Sequence, residues 1–121
     1  MTSVLVIDAA NVVGARPDGW WKDRAGAAAR LHDALLDAHL ADDEIVLVLE
    51  GGAKAGVPAG RSPGLRVVHA PKDGDSTILA EAKRAHERGA RVRVVTADRA
   101  LAANLAAYAD TVGPTWLLDQ L

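Results

Sequence analysis

Acidic side chains recur where hydrophobic runs end. Asp8 follows the run VLVI at residues 4–7, and Glu50 follows IVLVL at residues 45–49. Asp73 and Asp75 come soon after LRVV at residues 65–68, and Asp98 comes soon after VRVV at residues 92–95. Like charges a few ångströms apart destabilise one another, so such carboxylates gather only where something positive offsets them. A hard divalent cation, Mg2+ or Mn2+, takes oxygen ligands and suits that role. Several of these residues have a second reading. Asp75 and Asp98 each precede a helical pattern, where Asp is a preferred N-cap. Asn11 suits a turn, Asp73 lies in the turn-like string Asp-Gly-Asp, and Glu50 before Gly51-Gly52 suits a solvated strand end. Asp8 is harder to place structurally. It ends an apolar run that reads as a central strand, and a carboxylate buried there needs a partner.

The elements that must position these groups follow from periodicity. Short, continuous, β-branched runs fit strands buried on both faces, as in parallel sheets. The runs at 4–7, 45–49, 65–68 and 92–95 are of this kind, and Thr111-Val112 reads as a short fifth strand. Between them lie helical patterns. Ala28, Leu31, Leu35 and Ala38 mark one face within residues 21–40, and Ile78, Ala82 and Ala85 mark another within 76–88. Leu101, Leu105 and Tyr108 repeat the spacing within 99–109, and Pro114 stands where a last short helix would begin. Alternating strands and helices predict one α/β domain over residues 1–121 with a mainly parallel sheet. Ligands of such sheets bind beyond the carboxyl ends of the strands, where the acidic residues cluster. Residues 51–64, GGAKAGVPAGRSPG, read instead as a mobile loop without a core of its own.

Composition narrows the chemistry. There are no cysteines in the 121 residues, which excludes disulfides, thiolate metal sites and thiol nucleophiles. His32, His39, His69 and His86 show no metal-ligand spacing. No apolar run approaches the roughly 20 residues that span a bilayer, and no basic leader precedes the first strand, so a cytoplasmic protein without membrane partners is expected. The formal charge is only −2, but it is uneven: residues 1–50 carry net −5, 51–93 net +5 and 94–121 net −2. The basic middle section is the part expected to meet a polyanion. Trp20 and Trp21 fall near the first strand's end and are candidates for stacking on unpaired bases. Lys72 and Arg99 flank the acidic residues and are candidates for phosphate contact. Trp116, Leu117 and Leu118 make the last helix apolar enough to dock on its own core or to form a dimer seam.

The string from Val4 to Val13, VLVIDAANVV, resembles the opening of the PIN-like nucleases, and most closely their NYN branch with the YacP-like proteins. Asp75-Ser76-Thr77-Ile78 is similar to that branch's second acidic element, and Val94-Val95-Thr96-Ala97-Asp98-Arg99 to its third. The three stand in the family's order and cover nearly the whole chain. The resemblance implies a three-layer α/β/α sandwich with a mainly parallel five-stranded sheet in the order 3-2-1-4-5. Asp8 and Asp98 would then face one crevice, and Asp75 would approach from a helix start. It further implies a Mg2+- or Mn2+-dependent ribonuclease in which Asp8, Asp75 and Asp98 hold the metal; Asp73, from its place in the Asp-Gly-Asp string, is a further candidate ligand. Asn11 would orient Asp8 or a phosphate. A homodimer is also common in the family.

The chain departs from that pattern in two places. Ala100 stands where many relatives carry a second Asp, and Glu50 stands where the YacP-like branch often has Asp. Fewer carboxylates favour one metal over two. Two other functions compete: a PIN-like module that binds RNA or a protein without turnover, and a pyrophosphohydrolase-like enzyme on free nucleoside triphosphates.

Overall fold

The computed structural model describes residues 1–121. Its centre is β1 (Ser3–Asp8), hydrogen-bonded in parallel to β2 (Glu44–Leu49) on one side and β5 (Arg91–Val95) on the other. Ile7 stands opposite Leu47 and Val95. Outward from β2 come β4 (Leu65–His69) and then β3 (Gly60–Ser62), and outward from β5 comes β6 (Asp110–Val112). The order is β3-β4-β2-β1-β5-β6, and only the β3–β4 pair is antiparallel.

Helices cover both faces. On one lie α1 (Ala9–Gly14), α2 (Arg24–Asp37) and α5 (Pro114–Leu118); on the other lie α3 (Gly74–Glu87) and α4 (Arg99–Leu105). Leu5, Ile7, Leu47 and Leu49 pack with Val12, Leu31, Leu35 and Leu117. Val4, Val6, Val46, Val48 and Val94 pack with Ile78, Ala82, Ala85, Leu101 and Leu105. The central strands read as unbroken apolar runs because alternate residues enter these two separate cores. Full burial of each Leu or Ile contributes about 1.5–3 kcal/mol. No helix is long and apolar enough to cross a membrane.

The five expected strands correspond to β4-β2-β1-β5-β6, so the expected order holds, with one strand added. That strand comes from the stretch expected to be a mobile loop. Gly51–Gly56 instead forms a 3-10 turn packed on α2, Val57 is buried, and Gly60–Ser62 pairs with β4. Gly56 makes this possible: a Cβ there would stand 2.0 Å from the Ala25 carbonyl oxygen. Pro63 and Gly64 form the hairpin turn, with Gly64 at φ +76°, the proline-then-glycine order that a type II turn favours.

Two helix starts also differ from expectation. α1 has no apolar periodicity across its six residues AANVVG, yet forms because Asp8 caps it and Val12 is buried beneath it. α3 starts at Gly74, so Asp75 lies in its first turn and the N-cap is Asp73. The last helix lays its apolar side on the chain's own core: Leu117 is fully buried, and Trp116 carries the Arg93 guanidinium 4.7 Å from its ring centroid.

Candidate active site at the carboxyl ends of the strands

The site is built where β1 turns directly into α1. Asp8 is the last strand residue and the helix N-cap, with 3% of its surface exposed. Its Oδ1 accepts from the Asn11 backbone N–H at 3.3 Å. Its Oδ2 accepts from Asn11 Nδ2 at 2.5 Å and from the Thr96 hydroxyl at 2.9 Å. The pairing of β1 with β5 brings Thr96 there, since Thr96 directly follows Val95, the partner of Ile7. Thr96 Oγ1 also accepts from the Asp98 backbone N–H at 3.1 Å, and Asn11 Oδ1 accepts from the Ala97 N–H at 3.3 Å. Asp8, Asn11, Thr96 and Asp98 thus form one hydrogen-bonded net across the two strand ends.

Asp98 caps α4, its Oδ1 accepting from the Leu101 N–H at 3.0 Å. Glu50 directly follows β2, and its Oε2 accepts from the Gly74 N–H at 3.0 Å, tying the end of β2 to the start of α3. The Glu50 carboxylate packs against the Gly74 backbone, where a Cβ would stand 2.8 Å from Oε1 and push the side chain aside. Asp75 is exposed in the first turn of α3 and its carboxylate makes no hydrogen bond. Asp73 has both oxygens on Ser76, taking the backbone N–H at 2.8 Å and the hydroxyl at 3.2 Å.

Electrostatics mark these groups as one cluster. Burial pushes the Asp8 carboxyl above its ordinary value of 3.8, against the pull of the Thr96 and Asn11 donors, and the charge of Glu50 adds to the rise. Asp75 is raised as well, first by partial desolvation and then by the charges of Asp98, Asp8, Glu50 and Asp73. Asp73 is shifted the other way by its hydrogen bonds to Ser76. None of Asp8, Glu50, Asp75 and Asp98 is in an ion pair with a basic side chain. The donor set is all oxygen and short of positive charge, which fits a hard divalent cation. As they stand, no three of these side chains are close enough together to hold one metal ion.

The remaining expected residues surround this cluster. Trp20 lies in a 3-10 turn, Trp20–Lys22, and lines two hollows on either side of α1. Trp21 is 57% exposed and meets Trp20 edge-on at 6.0 Å between centroids. Lys72 and Arg99 are exposed beside Asp73 and Asp98, and neither is in an ion pair. Thr96 was not among the expected site residues; the available signal was the strand-ending string Thr-Ala-Asp in which it stands. Arg24, one of the basic groups that flank the strand ends, lines the hollow beside Glu50.

The acidic residues thus line the strand ends of a mainly parallel sheet, at the point where the strand order reverses. Among solved structures the chain is similar to a mutant form of Rae1 (YacP) from Bacillus subtilis, with a TM-score of 0.77 over 98% of this chain and 74% of that one. Identity between the two is 15%, so the likeness shows a YacP-like fold. No protein-family model and no curated protein matches the chain.

Proposed function

We propose that the chain is a PIN-like ribonuclease that hydrolyses RNA phosphodiesters with the help of Mg2+ or Mn2+. The observation that carries this reading is the gathering of Asp8, Asp75, Asp98 and Glu50 at one sheet edge with no basic partner, at the cost of raised carboxyls at Asp8 and Asp75. Burial first and neighbouring charge second raise these carboxyls, the kind of perturbation that gathers at functional sites. Asp8 and Asp98, whose charges act on Asp75, would hold the ion together with it, a set that must draw closer than it stands here to do so. A bound ion would acidify a water and offset the charge that builds on the phosphate. The chain's own part is positioning. Asn11 and Thr96 fix the Asp8 carboxylate, and Thr96 also fixes the backbone of Asp98. Lys72 and Arg99 stand free to meet the neighbouring phosphates.

The test is an assay panel. Purified protein with Mg2+ or Mn2+ is offered single-stranded RNA, structured RNA, DNA and nucleoside triphosphates, beside Asp98→Asn. Metal-dependent RNA cleavage is expected, falling about 100-fold in the variant, the scale of removing one electrostatic stabiliser. RNA binding without cleavage would instead mark a binding module, the reading favoured by Ala100 in the first turn of α4. Pyrophosphate release would mark an enzyme on free triphosphates.

A further inference from the structure

A cavity of about 310 Å3 opens beside Glu50, between α1 and the 3-10 turn Gly51–Gly56. Trp20 forms one wall, and the Arg24 guanidinium lies 5.2 Å from the centre of its ring. Ala10, Val13 and Ala53 supply small apolar surface. Glu50 is the acidic lining group; its Oε2 carries the Gly74 N–H, and its Oε1 has no partner. The turn that closes the cavity is held on α2 by the close approach of Gly56 to Ala25, so the wall is fixed.

The volume is at the small end of ligand pockets, room for one flat ring system and not for a length of chain. An aromatic wall offers a stacking platform, the main device by which proteins hold unpaired bases. An ionised carboxylate can only accept hydrogen bonds. It therefore favours a base edge that presents N–H groups side by side. Guanine does so with its imino and amino groups. The N3–H of uracil is flanked by two carbonyl oxygens, and the amino groups of adenine and cytosine adjoin a ring acceptor, so each sets a lone pair against the carboxylate.

We propose that this cavity is a subsite for one unpaired nucleobase next to the acidic cluster, stacked on Trp20 and selected as guanine by Glu50. The proposal rests on the nucleic-acid reading of the site, but its test does not need turnover. The full chain, without added metal, is titrated with GMP, AMP, CMP and UMP while the Trp20 indole N–H resonance is followed. GMP is expected to move that resonance and to bind about tenfold more tightly than the other three, the scale of a two-point base contact. Glu50→Gln should abolish most of that preference. Read by titration calorimetry, since these variants lack the reporting indole, Trp20→Ala should weaken GMP about tenfold and Trp20→Phe should restore it, the scale of one base–aromatic stack. A Trp20 resonance unmoved by all four nucleotides, or equal affinity for all four, would overturn the proposal. GMP binding in a protein that cleaves no RNA would sink the nuclease reading alone. Cleavage indifferent to Trp20→Ala, with no GMP binding, would sink the subsite alone.

Discussion

Thr96 carries more of the site than its type suggests. Its hydroxyl donates to Asp8 and accepts from the Asp98 backbone, so one side chain sets two of the proposed metal ligands. Thr96→Val keeps the shape but leaves the buried Asp8 oxygen short of a donor and the Asp98 N–H without its acceptor. A loss of about 1–3 kcal/mol is expected in urea unfolding at pH 7, with Thr96→Ser close to wild type. An unchanged Thr96→Val would mean that water replaces the hydroxyl and the net is not structural. Charge predicts a second effect at this scale. Asp8 and Asp75 are raised from 3.8, so the folded chain holds these protons to higher pH than the unfolded chain does. Their contribution to stability is whole below pH 3.8 and is lost as pH rises through the folded values. Asp73 is lowered and has the opposite sign, contributing above pH 3.8 and losing that contribution as pH falls through its folded value. Asp75→Asn removes one of the repelling charges. It should be more stable than wild type at pH 7 without divalent ion, with the gap closing as pH falls through the raised folded value of Asp75 toward 3.8. Mg2+ at pH 7 should stabilise wild type more than the variant. A gap that stays constant across that range would show that Asp75 does not feel its neighbours.

At the scale of elements, the legible parts were those with a strong period. Strand runs such as VLVI and IVLVL, and the stripes Leu31–Leu35 and Ile78–Ala82–Ala85, need no partner to be recognised, because burial on one or two faces writes itself into the local sequence. The acidic residues at the strand ends were legible for the same reason. What escaped depends on contacts between distant segments. α1 is too short to show a stripe and is set by the cap from Asp8. Thr96 reaches Asp8 only through the β1–β5 register. The stretch 51–64 has the composition of a loop, yet it is held by the burial of Val57, by the β3–β4 pairing and by a backbone approach of Gly56 to α2, none of which a sequence pattern records. That approach is testable. Gly56→Ala sets a methyl against the Ala25 carbonyl, backbone against backbone, where no side chain can move aside. It should cost about 1–3 kcal/mol in chemical denaturation, the range of an overpacked site, and should speed proteolysis between residues 51 and 62. Wild-type stability in that variant would show that the turn is not docked.

Across the whole molecule, the charge is arranged differently from what the linear sequence suggested. The basic section 51–93 was expected to meet a polyanion. In the fold much of it is tied down at the opposite edge of the sheet, where the strands begin. Arg66 pairs with Glu44 and Glu81, Arg84 with Glu81, Arg88 with Glu44, and Arg93 with Asp42. Lys54 lies at the other edge, beyond the end of β4, where it is taken up by the Ala70 carbonyl at 2.8 Å. At the edge that carries the acidic cluster, the basic groups near the cluster are Lys72, Arg99 and Arg24, drawn from three separate segments. The molecule therefore offers a phosphate chain a short footprint and not a basic stripe. Three phosphate contacts on single-stranded RNA give a slope of about −2 for log affinity against log salt concentration, at about 0.7 per contact. Binding of a short single-stranded RNA to the Asp98→Asn protein, measured between 50 and 300 mM salt (about one decade of screening), should show that slope. Lys72→Ala and Arg99→Ala should each lower its magnitude by about 0.7, while Arg84→Ala should leave it unchanged. A slope of about −5 or steeper would mean that the paired arginines release their carboxylates to bind RNA, and that the far edge of the sheet is part of the binding surface.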